Sequence, residues 1–425
     1  MLDMALVRNN PEIIQQMLKK RHLKYPFNNL IILDKERRRL VSSIQDLKHE
    51  RNRVSSEIAI MKKQNMDVSE KILEMKHISE LITSGDMKTR ELDNQISNMV
   101  NDLPNITSDS VPDGLGEDDN VVLRKSGVIP TFDFEPKDHI DIVQNLGLIN
   151  FEQASKVSGA RFYFLKGDLV RLNYALINYA LDFLYKKGWI LIQPPYMLKK
   201  EAIKGSIILS DFEDVIYKIE NEDLYLIGTS EHAIASMHMN EVLTGDELPL
   251  RYAGISPCFR KEVGAHGRDT KGIFRVHQFE KVEQFIFSKP ENSSIEFENM
   301  MKNSEAFFNE LRIPFRIVSL CGGELGKVSS KTYDLEAWFP SQKKYMEVVS
   351  CSNCTDYQAR GLLVKYRNKP HESSNFVHTL NSTLVATERT LIAIMENYQM
   401  ENGSIVIPKV LRPFIDGMDI IEAVK

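Results

Sequence analysis

The chain of 425 residues contains few cysteines and no long uninterrupted apolar run. Its cysteines, Cys258, Cys321, Cys351 and Cys354, are too few for a disulfide framework, so we expect a reducing compartment. No run of 18 uncharged apolar residues occurs, and the first residues lack an apolar stretch behind a basic one. We therefore expect neither export nor a membrane span, and we expect a cytoplasmic protein.

Charged residues are numerous, and the two signs are unevenly distributed along the chain. Hydrophobic residues make up 42% of the chain and charged residues 27%, which is typical of globular proteins with room for two or three domains. Residues 1–105 carry 18 Lys and Arg against 15 Asp and Glu, whereas the remaining residues carry 36 against 44. From Lys19 to Lys63, 13 cationic residues oppose five acidic ones. A basic segment on an acidic body predicts a docking element for a polyanion.

A heptad pattern of apolar residues begins near Asn28. Spacings of four and three residues link Leu33, Leu40, Ile44, Leu47, Val54, Ile58 and Met61, with Arg37 and Arg51 in the two gaps. A second series follows a polar stretch and contains Ile78, Ile82, Leu92, Ile96 and Met99. The pattern predicts an antiparallel helical coiled coil over about 28–100, on the order of 50 Å long. Gly85 interrupts the return helix, which leaves its register open.

This arm has two interpretations. A spacer or dimerisation coil requires only the apolar seam. An arm that follows a phosphate backbone requires an excess of cations, and this one has such an excess. We favour contact with nucleic acid, and the candidate contacts are Arg51, Arg53, Lys62 and Lys63.

The composition changes to Pro, Asp, Ser and Gly between residues 101 and 127. We predict a linker at about 104–127, an N-terminal domain at 1–107 and a second domain at 108–425. The second domain combines apolar or alternating runs (224–227, 274–287 and 345–349) with helical patterns (170–187, 295–311 and 383–398). Successive strands with helices between only some of them favour an antiparallel sheet flanked by helices. The predicted fold class is therefore α+β, with a helical arm in front of this sheet domain.

The segment from Arg251 to Ser288 is the most informative for chemistry. Two strands joined by a long loop with glycines predict a hairpin with a mobile tip. Alternation on the second strand places Arg275, His277, Phe279, Lys281 and Glu283 on one face, and Val276 and Val282 on the other. An aromatic ring for a base, arginines for phosphates and a carboxylate for an ammonium group suit a nucleotide and an amino acid. Taken singly, Arg260 with Glu262 also fits a cross-strand ion pair, and Phe279 also fits the core.

Four segments in order resemble the motifs of one family. Residues 259–262 and 274–279 resemble motif 2 of class II aminoacyl-tRNA synthetases, and with Lys281-Val282-Glu283-Gln284 they resemble seryl-tRNA synthetases. Residues 226–231 resemble that family's serine-binding element, 347–360 its metal and ATP strand, and 380–389 its motif 3. The resemblance implies a catalytic domain of the class II fold. The implied reaction joins L-serine to ATP as seryl-adenylate, releases pyrophosphate, and passes serine to the terminal ribose of serine tRNA.

The resemblance also assigns roles to individual residues. The implied catalytic residues are Arg260, Arg389 and Glu283. The implied serine contacts are Thr229, Ser230, Glu231, Glu283 and Thr383. The implied ATP contacts are Arg260, Lys261, Glu262, Arg275, Val276, Phe279, Glu347, Val348, Val349, Ser350 and Arg389. Mg²⁺ bound with ATP is implied at Glu347 and Ser350, because oxygen ligands suit this cation. Val349 stands where many members have serine, so a contact there would use its backbone.

Further partners follow from the same resemblance. Residues 188–195 resemble motif 1, which implies a homodimer. The arm would grip serine tRNA outside its anticodon, and selenocysteine tRNA is left open as a second acceptor. Cys351 and Cys354 form a C-x-x-C pair that by itself also fits zinc or redox chemistry. We favour structural thiols and expect no zinc, since the motifs resemble the zinc-free form of the family.

Two other functions share parts of this pattern. A stand-alone ligase that loads an amino acid onto a carrier protein has the catalytic motifs but lacks the long arm. A synthetase-like regulator that binds tRNA keeps the fold but loses charged catalytic positions. Arg260, Glu283, Glu347 and Arg389 are all present here. The synthetase interpretation is therefore favoured over both alternatives.

Overall fold

The computed structural model describes residues 1–207, 215–262 and 272–422, which divide into two compact units. The smaller unit comprises residues 2–18 and 23–103, and the larger comprises Met1, 19–22 and the chain from Pro104 onwards. The predicted mobile loop between 263 and 271 lies outside the described residues. Among the described helices, none has the length and apolar character needed to cross a membrane.

The α-helices are assigned in chain order. They are α1 (Met4–Asn9), α2 (Pro11–Lys20), α3 (Phe27–Lys63), α4 (Ser69–Asp102), α5 (His139–Leu146), α6 (Phe151–Ser158), α7 (Asp168–Lys186), α8 (Lys200–Ser206), α9 (Ser230–Met237), α10 (Ser293–Glu310), α11 (Tyr357–Leu362) and α12 (Thr387–Asn397). The predicted helix at 383–398 begins four residues later than expected, because residues up to Ala386 continue a strand of the main sheet.

The antiparallel pair of α3 and α4 forms the arm, as the heptad pattern predicts. Its seam buries Ile44, Val54 and Ile58 of α3 with Ile78 and Ile82 of α4. Ion pairs cross the seam between Arg37 and Asp93, between Lys48 and Asp86 (3.3 Å), between Glu57 and Lys71 (3.0 Å), and between Glu36 and Lys88 (2.8 Å). Helix α4 continues through Gly85, where a Cβ would lie 2.8 Å from Cγ1 of Ile44, so the glycine allows the helices to approach closely.

The segment predicted as a linker packs within the larger unit. The side-chain amide of Asn105 donates hydrogen bonds to the carbonyls of Val328 (2.9 Å) and Cys354 (2.8 Å). The buried guanidinium of Arg21 donates to the carbonyl of Asn105 at 3.1 Å. Hydrogen bonds to the backbone therefore hold this stretch in place, which its low apolar content did not predict.

The larger unit is built on one eight-stranded sheet. Its strands are β1 (Val121–Ser126), β2 (Ile190–Ile192), β3 (Leu250–Phe259), β4 (Gln278–Ser288), β5 (Phe315–Ser319), β6 (Lys331–Phe339), β7 (Lys344–Thr355) and β8 (His378–Ala386). Their order is β1-β5-β6-β7-β8-β4-β3-β2. All neighbours are antiparallel except β2 and β3, which are parallel. The predicted antiparallel sheet flanked by helices is confirmed.

Short two- and three-residue strands form the smaller sheets. They lie at Ile149–Asn150, Phe164–Leu165, Met197–Leu198, Tyr225–Leu226, Val242–Thr244, Lys365–Arg367, Asn375–Phe376, Ile405–Val406 and Ile420–Ile421. In the main sheet, the predicted hairpin is formed by β3 and β4. Strand β4 begins at Gln278, so the alternation of faces that was predicted to start at Arg275 does not apply to the residues before Gln278.

Candidate active site

A cavity of about 370 Å³ lies in the larger unit and collects most of the predicted site residues. Its walls include Glu231, Arg260, Glu262, Arg275, Val276, Phe279, Glu283, Glu347, Val348, Ser350, Thr383 and Arg389. These side chains come from the hairpin β3–β4, the neighbouring strands β7 and β8, and the first turns of α9 and α12. Residues that are far apart in sequence therefore share one cavity because their strands are adjacent in the sheet.

Four predicted site residues do not line the cavity wall. The hydroxyl of Thr229 accepts a hydrogen bond from the backbone N–H of Glu231 at 3.2 Å. Ser230 is fully buried, and its hydroxyl donates to the carbonyl of Gly254 at 3.4 Å. Val349 is part of the hydrophobic core, and the backbone N–H of Lys261 donates to the carbonyl of Val215 at 3.0 Å. Ligand contacts at these four positions remain predictions.

Glu231 is held at the start of α9. Thr229 caps this helix, which fixes the first turn and presents the next carboxylate toward the cavity. Its Oε1 accepts hydrogen bonds from the amides of Gln358 (2.8 Å) and Asn381 (3.2 Å). Burial, together with the nearby carboxylate of Glu283, raises the pKa of Glu231 to about 7.

A second carboxylate, Glu283, lies in the same cavity with a lysine beside it. The ammonium group of Lys281 is 2.6 Å from Oε2 of Glu283. Thr383 lies opposite Glu283 on β8, and its hydroxyl donates to the same oxygen at 3.3 Å. The alternation of β4 predicted that Lys281 and Glu283 share a face, but sequence reasoning did not include Lys281 among the site residues.

Arginine side chains supply the positive charge of the cavity. Nη1 of Arg389 is 3.1 Å from Oε2 of Glu347 and also donates to the carbonyl of Glu347 at 3.1 Å. Nε of Arg260 donates to the carbonyl of Gly228 at 3.2 Å. Burial opposes ionisation of Glu347, but Arg389, Arg260 and Arg275 outweigh it and lower the pKa of this carboxyl. Such an arrangement stabilises negative charge that enters or develops in the cavity.

Two phenylalanines support these arginines. The guanidinium of Arg260 lies 5.1 Å from the ring centre of Phe279, and that of Arg389 lies 4.8 Å from the ring centre of Phe274. Arg275 is 3.8 Å from the carboxylate of Glu262. Planar rings and guanidinium groups of this kind suit a nucleotide, since rings stack on bases and arginines pair with phosphates.

The predicted Mg²⁺ ligands, Glu347 and Ser350, lie beside a second acidic residue, Asp334. Asp334 on β6 faces Ser350 across the strand pair, and no described residue partners its buried Oδ1. Burial and the charge of Glu347 raise the pKa of Asp334 well above its ordinary value. The described residues contain no group of three His, Cys, Asp or Glu side chains arranged around a metal. Glu347 and Ser350 fit a hard cation that takes its remaining ligands from water or phosphate.

Glu388 is a further cavity residue that sequence reasoning missed. The hydroxyl of Tyr163 donates to its Oε1 at 2.5 Å, and the backbone N–H of Glu280 donates at 3.1 Å. Burial raises the pKa of Glu388 to about 7. The available signal was its position next to Arg389, although only the structure shows that Tyr163 approaches it.

Both cysteines of the C-x-x-C pair lie in the interior of the larger unit. Cys351 and Cys354 are both buried, and burial raises the pKa of each thiol. The amide of Asn381 donates to the sulfur of Cys354 at 3.4 Å. Raised thiol pKa values and deep burial suit structural thiols better than reactive ones.

Family models match both parts of the chain. The model described as "Seryl-tRNA synthetase N-terminal domain" matches residues 1–107. The model described as "tRNA synthetase class II core domain (G, H, P, S and T)" matches residues 214–398. The second match contains the residues of the cavity, and the first contains the helical arm.

Similar proteins cover the chain along its length. A serine–tRNA ligase of Nitrosopumilus maritimus is 50% identical over 98% of this chain and 99% of its own length. The crystal structure of seryl-tRNA synthetase from Pyrococcus horikoshii complexed with ATP is 45% identical, with a TM-score of 0.94 over 100% of both chains. A cytoplasmic serine–tRNA ligase from Naegleria fowleri in complex with AMP is 38% identical, with a TM-score of 0.88 over 100% of this chain and 99% of that one.

Proposed function

Because this chain belongs to the seryl-tRNA synthetase family, we propose that it joins serine to ATP and passes the seryl group to serine tRNA. One observation carries the proposal. The same cavity is lined by two carboxylates suited to a small amino acid and by arginines and an aromatic ring suited to a nucleotide. Serine-dependent exchange of pyrophosphate into ATP, followed by charging of serine tRNA, tests both steps.

Activation requires that the serine carboxylate attack the α-phosphorus of ATP while pyrophosphate leaves. We assign Arg260 to the α-phosphate, where it orients the attacking carboxylate and stabilises the charge that develops on phosphorus. Arg389 is assigned to the γ-phosphate and would help pyrophosphate leave. Nη1 of Arg389 is 3.1 Å from Oε2 of Glu347, and this contact holds the guanidinium at the cavity wall.

Recognition of the adenosine part is assigned to the motif 2 segment. Phe279 would stack on the base, with Glu262 and the backbone of Val276 contacting its edge. Arg275 is assigned to phosphate. Contacts from Lys261, Val348 and the backbone of Val349 complete the proposed ATP site.

Mg²⁺ is proposed to bind with ATP at Glu347 and Ser350. When bound, the ion would neutralise phosphate charge and orient the triphosphate. Arg389 restrains the carboxylate of Glu347, and Asp334 lies next to Ser350. The pairing of β6 with β7 shifts register at Val348, which brings Glu347 and Ser350 to the same side of β7, where both line the cavity.

Selection of serine is assigned to Glu283, Thr383 and Glu231, with Thr229 and Ser230 as further predicted contacts. Carboxylates can accept hydrogen bonds from the ammonium and the hydroxyl of serine. Alanine lacks the hydroxyl and would leave a buried carboxylate oxygen without its partner, a loss that discriminates strongly.

The charge state of Glu231 should control the affinity for serine. The pKa of Glu231 is raised to about 7, so this carboxyl is protonated at lower pH. As the pH rises toward 7, the KM for serine should decrease by about tenfold per pH unit, and above pH 7 it should become constant. The groups that face this carboxylate are Glu283, Lys281, Arg260 and the amides of Gln358 and Asn381. Steady-state pyrophosphate exchange between pH 6 and pH 9 measures this dependence.

The variant Glu231→Gln provides the control. It should remove the pH dependence together with most serine binding. Burial disfavours the ionised carboxylate of Glu231 in the folded state. The ionised carboxylate therefore lowers the free energy of unfolding above the raised pKa, and this loss of stability is absent at acidic pH. The variant should therefore raise the thermal unfolding temperature more at pH 8 than at pH 5. An unchanged pH profile of the parent chain between pH 6 and pH 8 would contradict the assignment.

The arm is assigned to binding of serine tRNA, with residues 1–107 as the tRNA-binding domain and 108–425 as the catalytic domain. Lys62 and Lys63 are exposed at the end of α3, and no described acidic residue pairs with them. Arg53 pairs with Glu50 (3.5 Å) and Glu57 (3.4 Å), so part of its charge is already offset. Arg51 is half-buried. We therefore rank the two lysines as the principal phosphate contacts.

Replacing Lys62 and Lys63 by alanine should flatten the salt dependence of tRNA binding. Each lost contact with a phosphate should reduce the magnitude of the slope of log K against log salt concentration by about 0.9. The double variant should therefore reduce this magnitude by about 1.8. Filter binding of serine tRNA between 50 and 300 mM KCl measures the slope. The variant Arg53→Ala is the matched control and should change it less. Equal slopes for the parent and the double variant would contradict the proposal.

A homodimer is proposed on the basis of the sheet edge. Strand β2 is the terminal strand, and Ile190 and Leu191 on it are 53% and 41% exposed. An unpaired edge with apolar side chains favours association with a second copy. In this arrangement the arm of one subunit would serve the active site of the other.

A further inference from the structure

Lys281 is an ammonium group almost completely removed from solvent inside the cavity wall. Its side chain is 7% exposed, and its partner Glu283 is 2% exposed. Both the ammonium group and the hydroxyl of Thr383 bind the same oxygen, Oε2 of Glu283. No described residue donates to Oε1, although Glu283 lines the cavity. The carboxylate therefore has one restrained oxygen and one available acceptor.

The cavity contains a second carboxylate with the same organisation. Oε1 of Glu231 accepts from Gln358 and Asn381, and no described residue donates to its Oε2. Two carboxylates in one enclosed space repel each other, and the charge of Lys281 offsets one of them. Together the three groups carry a net charge of −1 when ionised, which matches an incoming ammonium group. Without the lysine, the repulsion between the two carboxylates would not be offset, since Lys281 is one of the charges that lower the pKa of Glu231.

A purely structural role for this ion pair has little physical support. Desolvation of two charges largely cancels their attraction, so a buried pair contributes little net stability. The pair does, however, fix which carboxylate oxygen of Glu283 is free and places a positive charge beside that carboxylate. Those two properties concern the substrate and not the fold.

We propose that Lys281 is a positioning residue for serine recognition, which holds Oε2 of Glu283 so that Oε1 accepts a hydrogen bond from the substrate. The inference rests on the proposed function and extends it to a residue that acts through Glu283. It predicts that the lysine affects binding of serine and leaves binding of ATP unchanged.

The test compares Lys281→Met, Lys281→Gln and Lys281→Arg in pyrophosphate exchange. The neutral variants should raise the KM for serine by roughly 10- to 100-fold, the range expected for losing a hydrogen-bonded charge. The KM for ATP should stay within about twofold of the parent value, because uniform loss of structure would raise both. In the same neutral variants, the ratio of kcat/KM for serine to kcat/KM for alanine should decrease. The arginine variant keeps the charge and should retain more serine affinity than the glutamine variant.

The matched control is Lys289→Met. Lys289 lies just beyond β4, its ammonium group is 6.0 Å from the ring centre of Tyr366, and it does not line the cavity. The control variant should behave as the parent chain. Thermal unfolding with and without ATP shows which variants fold. If Lys281→Met does not fold, the comparison of Lys281→Gln with Lys281→Arg tests the role of the charge at this position.

The outcomes separate two failures. An active parent chain with unchanged serine KM in the neutral variants overturns the role of Lys281 alone. Equal increases in the KM for serine and for ATP also overturn it, since they indicate general loss of the site. A parent chain without serine-dependent exchange overturns the proposed function and this inference with it.

Discussion

Replacing Arg260 by alanine is expected to abolish serine-dependent pyrophosphate exchange while the protein stays folded. Arg260 follows β3, its Nε is anchored by the carbonyl of Gly228, and its guanidinium lies against Phe279. It is therefore preorganised beside the proposed nucleotide site. Removing one such donor lowers rates by about 100- to 1,000-fold. The exchange assay at saturating serine and ATP measures the effect.

Loss of Arg260 should have little effect on stability. Among the described residues, its guanidinium donates one hydrogen bond to a backbone carbonyl and lies against one ring, so thermal unfolding should change only slightly. Arg171→Ala is the matched control. Arg171 pairs with Asp168 at 3.6 Å and Asp416 at 2.7 Å away from the cavity, and its removal should leave exchange unchanged. Near-normal exchange by the Arg260 variant would refute the role assigned to this residue.

Shortening the arm is expected to abolish charging of tRNA while adenylate formation continues. Arg37 and Asp93 form an ion pair across the two helices, so the chain can be joined there by a short Gly-Ser turn in place of residues 38–92. The removed part contains Arg51, Arg53, Lys62 and Lys63. Because phosphate contacts supply much of the affinity for nucleic acid, charging should fall on the order of 100-fold or more.

Two assays on one preparation test the shortened arm. Pyrophosphate exchange without tRNA should stay within about twofold of the parent, since the cavity lies entirely in the larger unit. Glu80→Ala is the matched control, because it alters an exposed charge on the same arm without removing a cation. Unchanged charging by the shortened chain would show that the arm is a spacer.

The arm was predictable from sequence because a single physical pattern determines it. Apolar residues at heptad spacing define the buried seam, and the predicted bounds agree with α3 and α4 to within a few residues. The register of the return helix, which Gly85 left open, is set by a helix that runs without interruption from Ser69 to Asp102. A glycine within a helix is tolerated where a large side chain, here Ile44, occupies the space of its missing Cβ.

The site was predictable only where neighbouring residues belong to one strand or one motif. Lys281 and Glu283 share a face of β4, so their proximity follows from alternation. Gln358, Asn381 and Tyr163 approach Glu231 or Glu388 from elements far away in sequence. No local pattern encodes such contacts, because they depend on the order of strands in the sheet.

Side-chain direction near the ends of elements was also beyond sequence reasoning. Val276 was expected to face away from Arg275, but both line the cavity, because β4 begins only at Gln278. Ser230 belongs to the predicted serine element, yet its hydroxyl is directed toward Gly254. Strand alternation applies only within the strand itself, so positions beside loops require the structure.

We expect this cavity to activate serine with ATP. The most direct test is pyrophosphate exchange with Mg²⁺, without tRNA, using each of the twenty standard amino acids separately. We predict exchange with serine and little with alanine or threonine. Exchange that prefers another amino acid would contradict the assignment of Glu231, Glu283 and Thr383, and absence of exchange with every amino acid would contradict the catalytic function itself.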